Sequence, residues 1–380
     1  MVFSEAHQAF RESVAGLVQR EITPFVDEWE AQHDFPGSVF TALGDAGFLG
    51  TRFPETYGGQ GGDYLSSIVL AEEMASCGSA AVAMAVSVHT DMATPPILQF
   101  GTSAQKEKYL PACIAGRTVA AIAMTEANAG SDLAAMETRA TRTAHGWLLE
   151  GSKLYITNGM RAGLFLLAAR TGRPEDGAHG LSLFLVEGAA PGLSRRRLEK
   201  LGMNASDTAE LSLVHVELPQ DSILGEPGAG FSQLMWELRG ERLIAAASAL
   251  AGARAALGYT LEWCRERRLF GTSLASFQVT RHTLAELQTD VTVATSFVHS
   301  LAAQWDQGVP PPDGEIAMAK LVAGRVASRV ADTCLQLFGG AGYMAEMPIS
   351  RYFRDSRLMR IGGGTDEVMK EIIARAALKL

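Results

Sequence analysis

The residues able to do chemistry fall into a few short segments. Met124-Thr125-Glu126-Ala127-Asn128-Ala129-Gly130-Ser131-Asp132 places two hydroxyls among small residues. Such a loop lets backbone N–H groups approach a planar ligand closely. Lys153-Leu154-Tyr155-Ile156-Thr157-Asn158-Gly159 adds an aromatic ring and another hydroxyl. Arg265-Glu266-Arg267-Arg268-Leu269-Phe270-Gly271, followed by Ser276-Phe277-Gln278, is a basic cluster after a long helical run. Cations there either cap a helix C-terminus or grip an anion through a guanidinium fork. Gln336-Leu337-Phe338-Gly339-Gly340 reads first as a helix closed by glycine. The carboxylates suited to proton transfer lie in Gly240-Glu241-Arg242 and in Arg360-Ile361-Gly362-Gly363-Gly364-Thr365-Asp366-Glu367. Each segment alone also fits an ordinary role: a surface loop, a cap, or a solvated helix face.

The elements that must position these groups change texture twice along the chain. Residues 1–117 read as helices: Phe10, Val14, Leu17 and Val18 share one face, and Pro24 interrupts that pattern. Residues 35–62 form a Gly- and Pro-rich connector, and 64–92 read as one closely packed buried helix. Across 118–225, short apolar runs such as 164–169 and 181–186 alternate with turns, the pattern of a compact, barrel-like β domain. Across 226–380 long helices return over 231–267, 276–307, 313–338 and 366–378, with Gly308-Val309-Pro310-Pro311-Pro312 as a break. Four such helices make an antiparallel bundle. The predicted fold is therefore α+β: an N-terminal helical domain, a middle β domain and a C-terminal four-helix bundle.

Bulk properties narrow the function classes. A chain of 380 residues needs more than one core. Its net charge of −9 gives no support to nucleic-acid binding, so an anionic ligand needs a local basic site. No uninterrupted apolar run reaches the ~20 residues of a membrane span. The first residues carry no signal or transit pattern, and the expected location is the cytoplasm. Cys77, Cys113, Cys264 and Cys334 fit neither a metal motif nor a disulfide framework, and no metal is expected.

Taken together, the Met-Thr-Glu-x-x-x-Gly-Ser-Asp string, the following Lys153–Gly159 segment and the Gly-Gly-Gly-Thr-Asp-Glu string resemble the fingerprints of the acyl-CoA dehydrogenase flavoproteins. The order of helices, β domain and bundle resembles that family over essentially the whole chain. The resemblance implies FAD as cofactor. It implies that Met124, Thr125, Tyr155 and Thr157 line the flavin ring, with Tyr155 where many relatives have tryptophan. Ser131 would lie near both flavin and the pantetheine of the substrate. Arg267 would hold the FAD pyrophosphate, with Phe270 and Gln278 near the adenosine half. Gln336 and Gly340 would approach FAD from a neighbouring subunit, and Thr365 and Glu367 would border it. The implied partners are an acyl-CoA, or an acyl group on a carrier protein, and an electron-transfer flavoprotein. The implied assembly is a homotetramer.

In the family reaction a base removes a proton from Cα while a hydride leaves Cβ. The carboxylate that many relatives use would fall at Gly363, which can offer only its backbone N–H to the thioester carbonyl. The isovaleryl-CoA and long-chain subset carries the base just before an arginine on the first helix of the bundle. Glu241 is the candidate on that ground, with Arg242 beside it facing the CoA side or structuring the site. Glu367 is the runner-up, and Glu126 and Glu237 are weaker alternatives. Gly362 and Gly363 would leave room for branching near Cα. Two other readings stay open at this level: a flavin oxidase or monooxygenase on the same fold, and an inactive homologue serving as a binding scaffold.

Overall fold

The computed structural model describes residues 2–379. The N-terminal part holds α1 (Glu5–Glu21), α2 (Val26–Gln32), α3 (Ser38–Asp45), α4 (Tyr64–Ala75), α5 (Ala80–Ser87), α6 (Pro95–Phe100) and α7 (Ser103–Ile114). Ser4 starts α1 with a capping box shared with His7, and the helix stops before Pro24. The span 64–92 is not one helix. It breaks at Gly78, whose φ of +93° suits glycine, and ends in a π-helical turn over Val88–Ala93. The sequence between these breaks is mostly apolar, so hydrophobicity alone does not mark the π-helical turn.

The middle part is an eight-stranded mixed sheet. Its strands are β1 (Ala120–Ala123), β2 (Arg139–Arg142), β3 (Gly146–Thr157), β4 (Leu164–Arg170), β5 (Leu181–Glu187), β6 (Leu193–Arg197), β7 (Thr208–Pro219) and β8 (Ile223–Leu224). They run in the order β6-β7-β3-β2-β4-β5-β8, with β1 parallel to β4. Both β4 and β5 are buried on both faces, which explains their continuous apolar runs. The β3–β7 ladder slips register between Lys153 and Ile156, and this bulge surrounds Tyr155.

The C-terminal part contains α8 (Gly230–Glu266), a two-stranded hairpin of β9 (Arg268–Leu269) and β10 (Thr272–Ser273), α9 (Gln278–Asp306), α10 (Asp313–Phe338), α11 (Pro348–Ser356) and α12 (Asp366–Leu378). The long α8 is rich in alanine from 245 to 256, which favours an uninterrupted helix and close packing. It touches α4, α9, α10 and α11, so residues spaced along it reach different parts of the interior. By composition α8 is long and apolar enough to cross a membrane, but most of that stretch is buried in the protein core. Among the described residues no group of His, Cys, Asp and Glu is placed to hold a metal, and the four cysteines are buried and free.

Candidate active site

Glu241 and Gly363 meet. Glu241 lies on α8 and is 6% exposed. A β-carbon built on Gly363 would stand 2.9 Å from its Oε1. Any side chain at 363 would therefore collide with the carboxylate, and the φ of +65° there favours glycine as well. The space beside Gly363 is thus occupied by the Glu241 carboxylate. Gly362 is exposed and crowds nothing closely.

Two buried cations fix this glycine loop. Arg242 Nε donates to the Gly363 carbonyl at 3.1 Å, and Lys320 Nζ donates to the Gly364 carbonyl. Arg242 is 8% exposed, and its hydrogen bond ties it to the loop. Nothing in the sequence marks Lys320; it enters the site because α10 packs against α8 and α12. With its carbonyl held, Gly363 keeps a backbone N–H that forms no hydrogen bond with another described residue.

Glu237 stands one helical turn before Glu241 and is 2% exposed. Neither of its oxygens has a hydrogen-bond partner among the described residues, nor does Glu241 Oε2. Burial raises both carboxyls above the ordinary carboxylate range. For Glu237 the neighbouring Glu241 raises it further, whereas Arg242 and Lys320 pull Glu241 back.

The alternative bases occupy other environments. Glu367 is exposed in the first turn of α12 beside Lys370, and its carboxyl is held below the usual range. Thr365 N-caps that helix, its Oγ1 accepting from the Val368 N–H at 3.3 Å. Glu126 accepts from Lys153 Nζ at 2.6 Å and from the backbone N–H groups of Glu137 and Thr138 at 2.7 and 3.0 Å. Those donors hold it ionised below its usual range, so it anchors the loop and is unsuited to proton abstraction.

That anchor orders a second surface. Lys153 Nζ also binds the Met124 carbonyl at 3.1 Å, and the Leu154 N–H donates to the Thr125 carbonyl at 2.8 Å. Met124, Thr125 and Thr157 are half-buried beside Tyr155, which the bulge turns outward at φ +62° and 66% exposure. Ser131 lies on the exposed part of the same loop. An exposed aromatic ring among hydroxyls fits a planar heteroaromatic group such as the ring of FAD.

Arg267, Phe270, Gln278, Gln336 and Gly340 gather elsewhere. Arg267 ends α8 with its guanidinium 5.8 Å from the Trp263 ring. Trp263 donates to the Leu337 carbonyl at 3.2 Å and stacks on Phe338, which joins the hairpin root to the end of α10. Phe270 is 97% exposed at the hairpin tip, and Gln278, Gln336 and Gly340 are exposed as well. At 1.5 Å per residue, Arg267 lies about 39 Å along α8 from Glu241.

Between these ends runs a narrow apolar cavity. On α8 its lining includes Ala245, Ala249, Gly252, Ala256 and Tyr259, the face that begins one turn beyond Glu241. Helical rise gives this lining a length of about 21 Å. Asp355 borders the cavity with its carboxyl pushed up to about 7 by burial, while its Oδ1 accepts from the Met203 N–H at 2.5 Å.

Models of the N-terminal, middle and C-terminal domains of acyl-CoA dehydrogenases match residues 4–117, 121–216 and 228–378. The mouse long-chain specific acyl-CoA dehydrogenase is 42% identical, the match covering 98% of this chain and 87% of the mouse protein. The chain belongs to the acyl-CoA dehydrogenase family. A crystal structure of an acyl-CoA dehydrogenase from Geobacillus kaustophilus superposes with a TM-score of 0.96 at 37% identity, covering 100% and 99% of the two chains. A glutaryl-CoA dehydrogenase from Mycobacterium smegmatis, solved with FADH2, gives 0.94 at 27% identity, covering 100% and 96%. Within this acyl-CoA dehydrogenase, Glu237 was a weak sequence candidate and Lys320 was missed. The four-residue spacing of Glu237 from Glu241 was the available signal for the first.

Proposed function

We propose that this chain dehydrogenates an acyl-CoA thioester to the trans-2-enoyl-CoA, with Glu241 as the base that takes the Cα proton. The observation that carries this reading is the contact between Glu241 and the side-chain-free Gly363. The position that bears the base in many relatives is filled here by a carboxylate arriving from α8. Bound FAD would accept the hydride from Cβ, and the family and the exposed Tyr155 surface support that cofactor. Arg242 and Lys320 hold the loop so that the Gly363 N–H can polarise the thioester carbonyl. Burial keeps water away from Glu241 and strengthens it as a base.

The substrate proposed is a long-chain acyl-CoA. Its alkyl tail would lie along the Ala245–Tyr259 face, and the mouse relative's name points the same way. Reduced flavin would pass its electrons to an electron-transfer flavoprotein, the acceptor implied by the family. The functional unit contains more than one copy, because Glu241 and Arg267 are too far apart in one chain to touch one FAD. Arg267, Phe270, Gln278, Gln336 and Gly340 then serve the cofactor of a partner, in a homotetramer built as a dimer of dimers.

The test is anaerobic bleaching of the flavin by palmitoyl-CoA and by butyryl-CoA. Fast bleaching by the long substrate, slowed about 10²–10⁴-fold in Glu241→Gln with FAD retained, is the expected result. Undiminished reduction in that variant would remove Glu241 from the role.

A further inference from the structure

The base has a buried companion. Glu237 and Glu241 occupy the same face of α8 one turn apart, both more than nine-tenths buried. Three of their four oxygens are fully buried with no hydrogen-bond partner among the described residues. Two adjacent carboxylates cannot both stay ionised without strong compensation in a poorly hydrated site. The compensation present is lopsided. Lys320 and Arg242 act on Glu241, while Glu237 faces Glu241 and Asp91 with Arg242 as its one favourable neighbour. Asp91, on the π-helical turn, is itself engaged by Thr90 and Arg52.

We propose that Glu237 is a positioning residue that keeps one proton in the resting enzyme and leaves Glu241 as the ionised base. The retained proton lets Glu237 act as a donor toward the Glu241 carboxylate, which otherwise has a buried oxygen without a partner. It also removes the like charge that would drive Glu241 to protonate. When Glu241 takes the Cα proton, the pair holds two protons. One leaves before the next turnover and restores the monoanion. Burial raises both carboxyls, and the positive neighbours Arg242 and Lys320 act against that rise at Glu241, which agrees with this order.

The proposal rests on Glu241 being the base, and two variants of the FAD-loaded enzyme test it. Glu237→Gln mimics the protonated side chain, so the acid limb of its kcat/KM profile is expected to stay where the native enzyme has it. Glu237→Leu removes the donor. Its Glu241 is expected to ionise at higher pH, moving the limb up by about one pH unit. Below the limb that is a roughly tenfold loss of kcat/KM. The infrared spectrum of the oxidised enzyme is the second readout. The carbonyl band of a protonated buried carboxyl is expected in the native protein and absent from Glu237→Gln.

A downward shift of the limb in Glu237→Gln would mean that Glu237 is ionised beside the base, and would overturn the proposal. An unmoved limb in Glu237→Leu would do the same, as would an infrared spectrum unchanged by Glu237→Gln. The infrared readout needs no substrate and no fully active enzyme. It therefore decides the question if the leucine variant loses FAD. Failure of the native enzyme to act on any acyl-CoA would instead count against the proposed function and leave the proton pair standing.

Discussion

At the scale of single residues, Gly363 and Glu241 form one device split between two distant points of the chain. The glycine supplies space, a left-handed backbone and an N–H, and the glutamate supplies the charge. This arrangement makes the glycine intolerant of even a methyl group. In Gly363→Ala the new carbon would meet Glu241 Oε1 at 2.9 Å, and the φ of +65° costs a non-glycine residue about 1–2 kcal/mol. The expected outcome is an enzyme that retains FAD and most of its stability but reduces flavin more slowly, because the carboxylate is displaced from Cα. Stopped-flow reduction together with a thermal melt would separate the two effects. Equal losses of stability and of flavin would show that the glycine serves folding alone. The glycine string announced its importance in the sequence. Its reason, a carboxylate arriving from over a hundred residues earlier, is a tertiary fact.

At the scale of elements, α8 is the organiser. It carries the base near its start, small residues along its middle and Arg267 at its end. The small residues are what keep a cavity open between α8 and its neighbours, since larger side chains would close it. Ala249→Leu is expected to shorten the space available to an alkyl tail while leaving Glu241 and Gly363 in place. The kcat/KM for palmitoyl-CoA should fall at least tenfold relative to that for butyryl-CoA. A parallel fall for both substrates would point to general overpacking, which typically costs 1–3 kcal/mol. The long helices and the buried strands β4 and β5 were legible because a period of 3.6 or a continuous apolar run is written locally. The π-helical turn over 88–93 and the bulge at Tyr155 were not, because each depends on register and packing against other elements. The motif residues were legible one by one, but the contact between Glu241 and Gly363 was not. The helix expected over 231–267 already sets about 39 Å between Glu241 and Arg267 from their spacing alone.

At the scale of the whole molecule, that separation carries the argument for assembly. Within one chain the base lies near the start of α8, while Arg267 and the end of α10 meet around Trp263 at the other end of that helix. A 97% exposed phenylalanine at a hairpin tip is an unfavourable feature unless something covers it. If a partner's cofactor does so, defects at the two ends should complement each other. Glu241→Gln damages the site of its own chain, whereas Arg267→Ala damages the site of its neighbour. Each variant alone should show little activity, the second through weakened FAD retention. Co-expressed, some hybrids pair an intact Glu241 with an intact Arg267 across the interface. In randomly mixed dimers roughly one site in four is whole. Activity should then return to about that share of the native value, with flavin content rising in step. If both residues instead served one site within a single chain, no mixture of the two variants could contain a whole site, and the co-expressed protein would stay as inactive as its components.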